Sequence, residues 1–389
     1  MSENKIFTFD YSFPTRIIFG RNSLEKTGEV SHEFGKKALI VTTKGGSMRR
    51  YGYLDKLIRS LEKNNIRYFI FDKVSTNPTT IIAKEASDIV VKEECDFVIG
   101  LGGGSAIDVA KIAAASSVTN IHPREYTLGI REIDDALPIV AIPTTHGTGT
   151  EVNRYAVLTD PETNAKRGIV SKKIYPRISI LDPMLTLTLP TKLTAATIID
   201  ALSHAIESYV KNNATRLSML YSEEAIIKIF RFGPHVMQNP DNINLRENLL
   251  WASMCAGKSI DINGTTMCHG LEHPISALFN VHHGEGLATL LLPWIKYTLP
   301  AIKERLGRLA LLLGISGSDN QELSYAFVKY LADLLISMNL NFKLRDFGIK
   351  EKHIDLLVEN AISFMRYNLD SNPIPASRID IKKIYLKAL

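Results

Sequence analysis

Between residues 38 and 143 the chain alternates short β-rich apolar runs with longer stretches of helical period. ALIVTT (38–43), IRYFIFD (66–72), DFVIGLG (96–102) and LPIVAIP (137–143) are short, apolar and set off by turn residues such as KGGS and STNP. That pattern predicts four buried strands. RYGYLDKLIRSLEKNN (50–65) instead places Tyr53, Leu54, Leu57, Ile58 and Leu61 on one helical face. Helices are also predicted over 79–94 and from near Ser105. The β-α-β-α-β order implies a parallel sheet covered by helices on both faces.

From about Leu185 the texture changes. LPTKLTAATIIDALSHAIESYV, LSMLYSEEAIIKIF and LRENLLWASMCAGKSI are long amphipathic runs with almost no strand signal. The expected organisation is an α/β domain over 1–185 and a helical domain over 186–389, with no internal repeat.

Composition narrows the class. The 389 residues are 45% hydrophobic and 22% charged, as in ordinary globular proteins. The net charge of +5 comes from basic residues scattered among acids, which disfavours a nucleic-acid partner. No apolar run approaches the roughly 20 residues of a membrane helix. The stretch MSENKIFTFDYSFP lacks a signal-peptide core. Together with only three cysteines, Cys95, Cys255 and Cys268, this gives a cytoplasmic expectation.

Two loops in the first half suit a phosphate ligand. GLGGGSAIDVAK (100–111) follows a strand and opens a helix, where small residues and N–H groups favour a pyrophosphate. Ser105 stands where the Rossmann fingerprint has its third glycine. PTTHGTGTE (143–151) also follows a strand and supplies small hydroxyls; a plain glycine- or threonine-rich turn is the blander reading of either loop.

The second half carries candidate metal chemistry. Asp200 and His204, spaced i, i+4 in TIIDALSHAIE, share a helix face. Four of the ten histidines fall in TTMCHGLEHPISALFNVHHGEGL: His269 and His273 repeat the i, i+4 spacing, and His282 and His283 follow in a Gly-flanked turn. Imidazoles with one carboxylate suit Fe(II) or Zn(II). Spacing alone leaves open which four of these six side chains would bind.

GGGSAIDVAK, PTTHGTGTE, DPMLTLTLPTKLTAATIIDALSHAIE, CHGLEHPIS and HHGEGLA together resemble the iron-containing (group III) alcohol dehydrogenase family, from RIIFG (16–20) to the C-terminal NPIPASRIDIKKIYLKAL. The resemblance implies a Rossmann-like α/β dinucleotide-binding domain with a parallel sheet, an all-α C-terminal domain, and an active site in the interdomain cleft. It implies Asp200, His204, His269 and His283 as ligands of Fe2+, with Zn2+ as the alternative, and His273 near the nicotinamide. It further implies Gly102, Gly103, Gly104 and Ser105 at the pyrophosphate, Thr144, Thr145 and Thr148 near phosphates or nicotinamide, and Lys166 at a ribose. The activity implied is NAD(P)-linked interconversion of a small alcohol or diol with its aldehyde, in a homodimer.

Several positions depart from the family pattern. GTGTE replaces GTGSE, His146 stands where a small residue is usual and would crowd a cofactor, and Ile198 stands where glycine is common. Where NAD-preferring members carry an acid after the first strand, this chain has Thr43, with Lys44, Ser47, Arg49 and Arg50 nearby. Without that carboxylate a 2′-phosphate is not repelled, so NADP(H) is expected over NAD(H). The alternatives on the same architecture are glycerol dehydrogenase, hydroxyacid–oxoacid transhydrogenase and the dehydroquinate synthase lineage; outside catalysis, a metal- and nucleotide-binding regulator.

Overall fold

The computed structural model describes residues 6–389, so most of the N-terminal stretch read for a leader is included but its first five residues lie outside. Two compact units make up the chain: Ser12–Pro190 with Asp241–Leu250, and Thr191–Pro240 and Trp251–Leu389 with the segment ending at Tyr11. Neither is a single continuous stretch of sequence.

The sheet unit is built on strands β1 (Arg16–Phe19), β2 (Lys37–Thr43), β3 (Arg67–Val74), β4 (Phe97–Gly102), β5 (Ile139–Pro143) and β8 (Ile178–Leu181). They run parallel in the order β1-β8-β5-β4-β2-β3. Helices α1 (Tyr53–Lys63), α2 (Thr80–Lys92) and α3 (Gly104–Thr119) connect them. Strand periodicity sorts the core onto two faces. Leu39, Val41 and Val98 pack with Ala83, Ala86, Val109 and Ala113 of α2 and α3. Ala38, Ile40, Ile99 and Leu101 pack with Leu54, Leu57 and Leu61 of α1. All four predicted strands form. β1 and β8 were missed because RIIF and ISIL offer only four residues of pattern.

An antiparallel hairpin, β6 (Tyr155–Asp160) with β7 (Ala165–Val170), was also missed. It joins the turn after β3 through a Thr79–Thr159 bridge and the bond from Thr159 N to Pro78 O at 2.9 Å.

The second unit is helical: α4 (Thr191–Val210), α5 (Arg216–Gln238), most of α6 (Ile243–Asn263), α7 (Met267–Phe279), α8 (His283–Leu312), α9 (Asn320–Ser337), α10 (Ile354–Phe364) and α11 (Arg378–Ala388). Ile198 of α4, the residue in place of glycine, lies opposite Gly233 of α5: a Cβ there would be 3.6 Å from Ile198 Cγ2. The small residue therefore sits on the facing helix. Among the described residues no helix is long and apolar enough to cross a membrane.

Candidate functional site

In the helical unit, α4 presents Asp200 and His204 one turn apart, α7 presents His269 and His273 likewise, and α8 begins at His283. His283 was expected in a turn; it is the first residue of a 30-residue helix, with His282 at the N-cap position making no side-chain cap. Glycine makes that start possible. A Cβ on Gly284 would lie 2.0 Å from the carbonyl oxygen of Ala196, so α8 begins in backbone contact with α4.

Asp200, His269 and His283 offer ligand atoms all within 4.8 Å of one another. Asp200 Oδ1 is 3.9 Å from His269 Nε2 and 3.7 Å from His283 Nε2. His204 joins less directly: its Nδ1 lies 3.5 Å from Asp200 Oδ1 and its ring stacks on His269 with centroids 4.5 Å apart. His273 belongs to an overlapping group with Glu272 and His283. His282 is half-buried and in neither group.

Two carboxylates that sequence reading missed complete the arrangement. Glu207 meets His269 Nδ1, and Glu272 meets His283 Nδ1. Glu207 lies three residues after His204 but 62 before the ring it meets, so helical spacing carried no signal for it. Burial opposes charge on His269, yet Glu207, through its charge and hydrogen bond, outweighs burial with help from Asp200 and Glu272 and raises the imidazole above its ordinary pKa. The buried His269 Nε2 has no hydrogen-bond partner among the described residues. With Nδ1 turned to Glu207, Nε2 is left facing Asp200 Oδ1 at 3.9 Å, and an N/O donor set of this kind suits iron or zinc.

In the sheet unit the polar loops leave the carboxyl edge side by side. Gly102 pairs in register with Pro143, and Thr144 N donates to Gly102 O at 2.9 Å. Chain order reverses direction between β2 and β4, which makes a crevice for ligands in such sheets. Gly102 has φ +151, a conformation side chains rarely adopt. A Cβ on Gly104 would lie 2.5 Å from Thr148 Cγ2, so glycine lets the two loops touch. No side chain caps α3, and an uncapped helix N-terminus is a setting that favours an anion. Thr43, Ser47, Gly103, Ser105, Thr145 and Thr148 are half-buried along this edge, with Thr43 Oγ1 3.4 Å from Ser47 Oγ. Lys166 lies on β7 and donates to Asn77 Oδ1 at 2.9 Å.

His146 does not crowd this edge. Its ring is buried with Nε2 3.3 Å from Arg246 Nη1, and burial and then the guanidinium push its pKa down to about 3. Thr150 keeps the hydroxyl of the usual serine and donates it to Asp108 Oδ1 at 2.6 Å. Buried Lys111 clamps the loop from beneath, reaching the carbonyls of Thr150, Asn153 and Tyr155 at 2.7, 2.9 and 2.6 Å.

The family model for iron-containing alcohol dehydrogenase matches residues 14–183, and that for the Fe-containing alcohol dehydrogenase family, C-terminal, matches 194–389. The chain belongs to the iron-containing alcohol dehydrogenase family. This family member is accordingly a metal-dependent, NAD(P)-linked oxidoreductase. It is 32% identical to an NADH-dependent butanol dehydrogenase A of Clostridium acetobutylicum, covering 98% of this chain and 100% of that one. It is 31% identical to an NADPH-dependent butanol dehydrogenase of Clostridium saccharobutylicum, covering 96% of each. Among solved structures it resembles an archaeal halo-thermophilic Red Sea brine pool alcohol dehydrogenase, with TM-score 0.93, 32% identity, and 98% and 99% of the two chains covered. Relatives of this iron-containing dehydrogenase thus differ in the nicotinamide cofactor named for them.

Proposed function

We propose that the protein interconverts small primary alcohols or diols with their aldehydes, using Fe(II) held by Asp200, His204, His269 and His283. The observation that carries this reading is the convergence of Asp200, His269 and His283 from three helices, with a buried His269 Nε2 facing into the group. Held by those four side chains, a divalent metal would supply Lewis-acid polarisation of the substrate oxygen, and a bound nicotinamide would supply or take up the hydride.

The protein's own residues do the rest. Asp200 contributes the anionic donor and the imidazoles the neutral ones. His273, whose ring centroid lies 5.5 Å from that of His283, passes the hydroxyl proton toward solvent. Gly102, Gly103, Gly104 and Ser105 receive the pyrophosphate, Thr144, Thr145 and Thr148 orient the phosphates and nicotinamide, and Lys166 serves a ribose. Thr43 and Ser47 leave room for a 2′-phosphate, so the preferred cofactor is NADP(H).

The deciding experiment restores Fe(II) and Zn(II) separately to metal-stripped protein and follows NAD(P)H absorbance over alcohols, diols, aldehydes and hydroxy acids. Turnover of neutral alcohols and aldehydes is expected; metal-independent turnover, or none with metal and cofactor bound, overturns the reading. His283→Ala should lose bound metal by elemental analysis and turnover together. A higher kcat/KM with NADH than NADPH would reject the cofactor assignment, whereas Thr43→Asp should lower kcat/KM for NADPH about tenfold or more.

A further inference from the structure

Each of three helices in the metal group carries a ligand candidate, and two of them also carry a carboxylate directed at a ligand on the next helix. Glu207 of α4 holds His269 of α7, and Glu272 of α7 holds His283 of α8. Both carboxylates are fully buried. We infer that Glu207 and Glu272 are positioning residues, each fixing one imidazole in the tautomer and orientation that present Nε2 to the cation; this rests on the metal reading above.

A carboxylate only accepts, so the proton of each neutral imidazole lies on Nδ1 and the lone pair on Nε2. The two Nε2 atoms are the ones found 3.9 and 3.7 Å from Asp200 Oδ1. The carboxylates are themselves held. Glu207 Oε2 accepts from Thr266 N at 2.8 Å, Thr266 Oγ1 at 2.9 Å and His269 N at 3.3 Å, which turns Oε1 to the ring. Ser276 Oγ donates to Glu272 Oε1, which leaves Oε2 for His283. A side chain at position 286 would intrude here, since a Cβ on Gly286 would lie 2.6 Å from Glu272 Oε1.

Hydrogen bonding to a carboxylate also makes each imidazole a stronger donor, and loss of such a partner typically costs 10–100-fold in metal affinity. A carboxylate serving only the fold would instead lower stability and leave affinity and ligand field unchanged.

The test uses full-length protein stripped of metal and titrated with Co(II) against a chromogenic chelator, without substrate or cofactor. Glu207→Gln and Glu272→Gln should each weaken Co(II) binding about 10–100-fold and shift its visible d–d bands. Melting of the metal-free forms separates this from unfolding. Because Glu207 also holds the start of α7, Glu272→Gln carries the decision if Glu207→Gln does not fold, and Glu272→Asp should recover part of the affinity. Native-like affinity and spectrum in a folded Glu272→Gln protein overturn the inference. Failure of the native protein to bind Co(II) overturns the metal reading instead.

Discussion

At the level of single residues, the loops of the sheet unit rest on buried charge. Lys111 has no exposure and uses its ammonium on three carbonyls, a cost tolerable only because each N–H finds an acceptor. Glu151 is the less comfortable neighbour. Burial raises its carboxyl to about 7, and its Oε1 has no hydrogen-bond partner among the described residues. With its folded pKa above the unfolded 4.5, Glu151 leaves the fold unpenalised below about pH 4.5. The folded state binds more protons than the unfolded between there and about 7, so stability falls across that window. At a pH above both values the cost is about 3 kcal/mol. Glu151→Gln should therefore gain stability relative to the native protein on going from pH 4.5 to 8, measured by denaturant unfolding. An unchanged difference between the two proteins across that range would show that Glu151 does not titrate as described.

For the secondary-structure elements, legibility followed pattern length. Seven-residue β2 and twenty-residue α4 have enough sequence for period 2 or 3.6 to show. Four-residue β1 and β8 do not, and β6 and β7 mix polar and apolar positions around a PETN turn. In the Asp200–His283 cluster the i, i+4 pairs were readable because both members share a helix. Glu207 and Glu272 were not, because their partners lie on other helices, and only packing decides that. Glycines mark where packing is tightest. Gly284→Ala would force its Cβ against the backbone of Ala196, with no flexible side chain to yield. It should cost about 1–3 kcal/mol by denaturant unfolding and reduce retained metal, because His283 is its neighbour. Gly168→Ala is the control: its Cβ meets nothing within 4 Å, and its stability should stay within about 0.5 kcal/mol of native.

Across the whole molecule, the sheet unit depends on a segment far along the chain. Arg246 is fully buried against His146 and the carbonyl of Leu189, and Arg21 pairs with Glu247 at 2.7 Å. A polypeptide spanning only 12–190 lacks these partners. Its Tm should fall by about 2–4 °C for each kcal/mol lost, and joining 241–250 back through a flexible linker should recover part of the loss. Equal melting of the two polypeptides would show that the segment adds nothing.

The same discontinuity sets a timetable during synthesis. The sheet sequence is nearly complete when Pro190 has been made, yet Arg246 arrives more than fifty residues later, a wait of several seconds at about 5–20 residues per second. Tyr11 waits longer: its hydroxyl donates to Asp261 Oδ2 at 2.7 Å, a partner made some 250 residues afterwards. Tyr11 therefore leaves the ribosome long before the helix that receives its hydroxyl has been made.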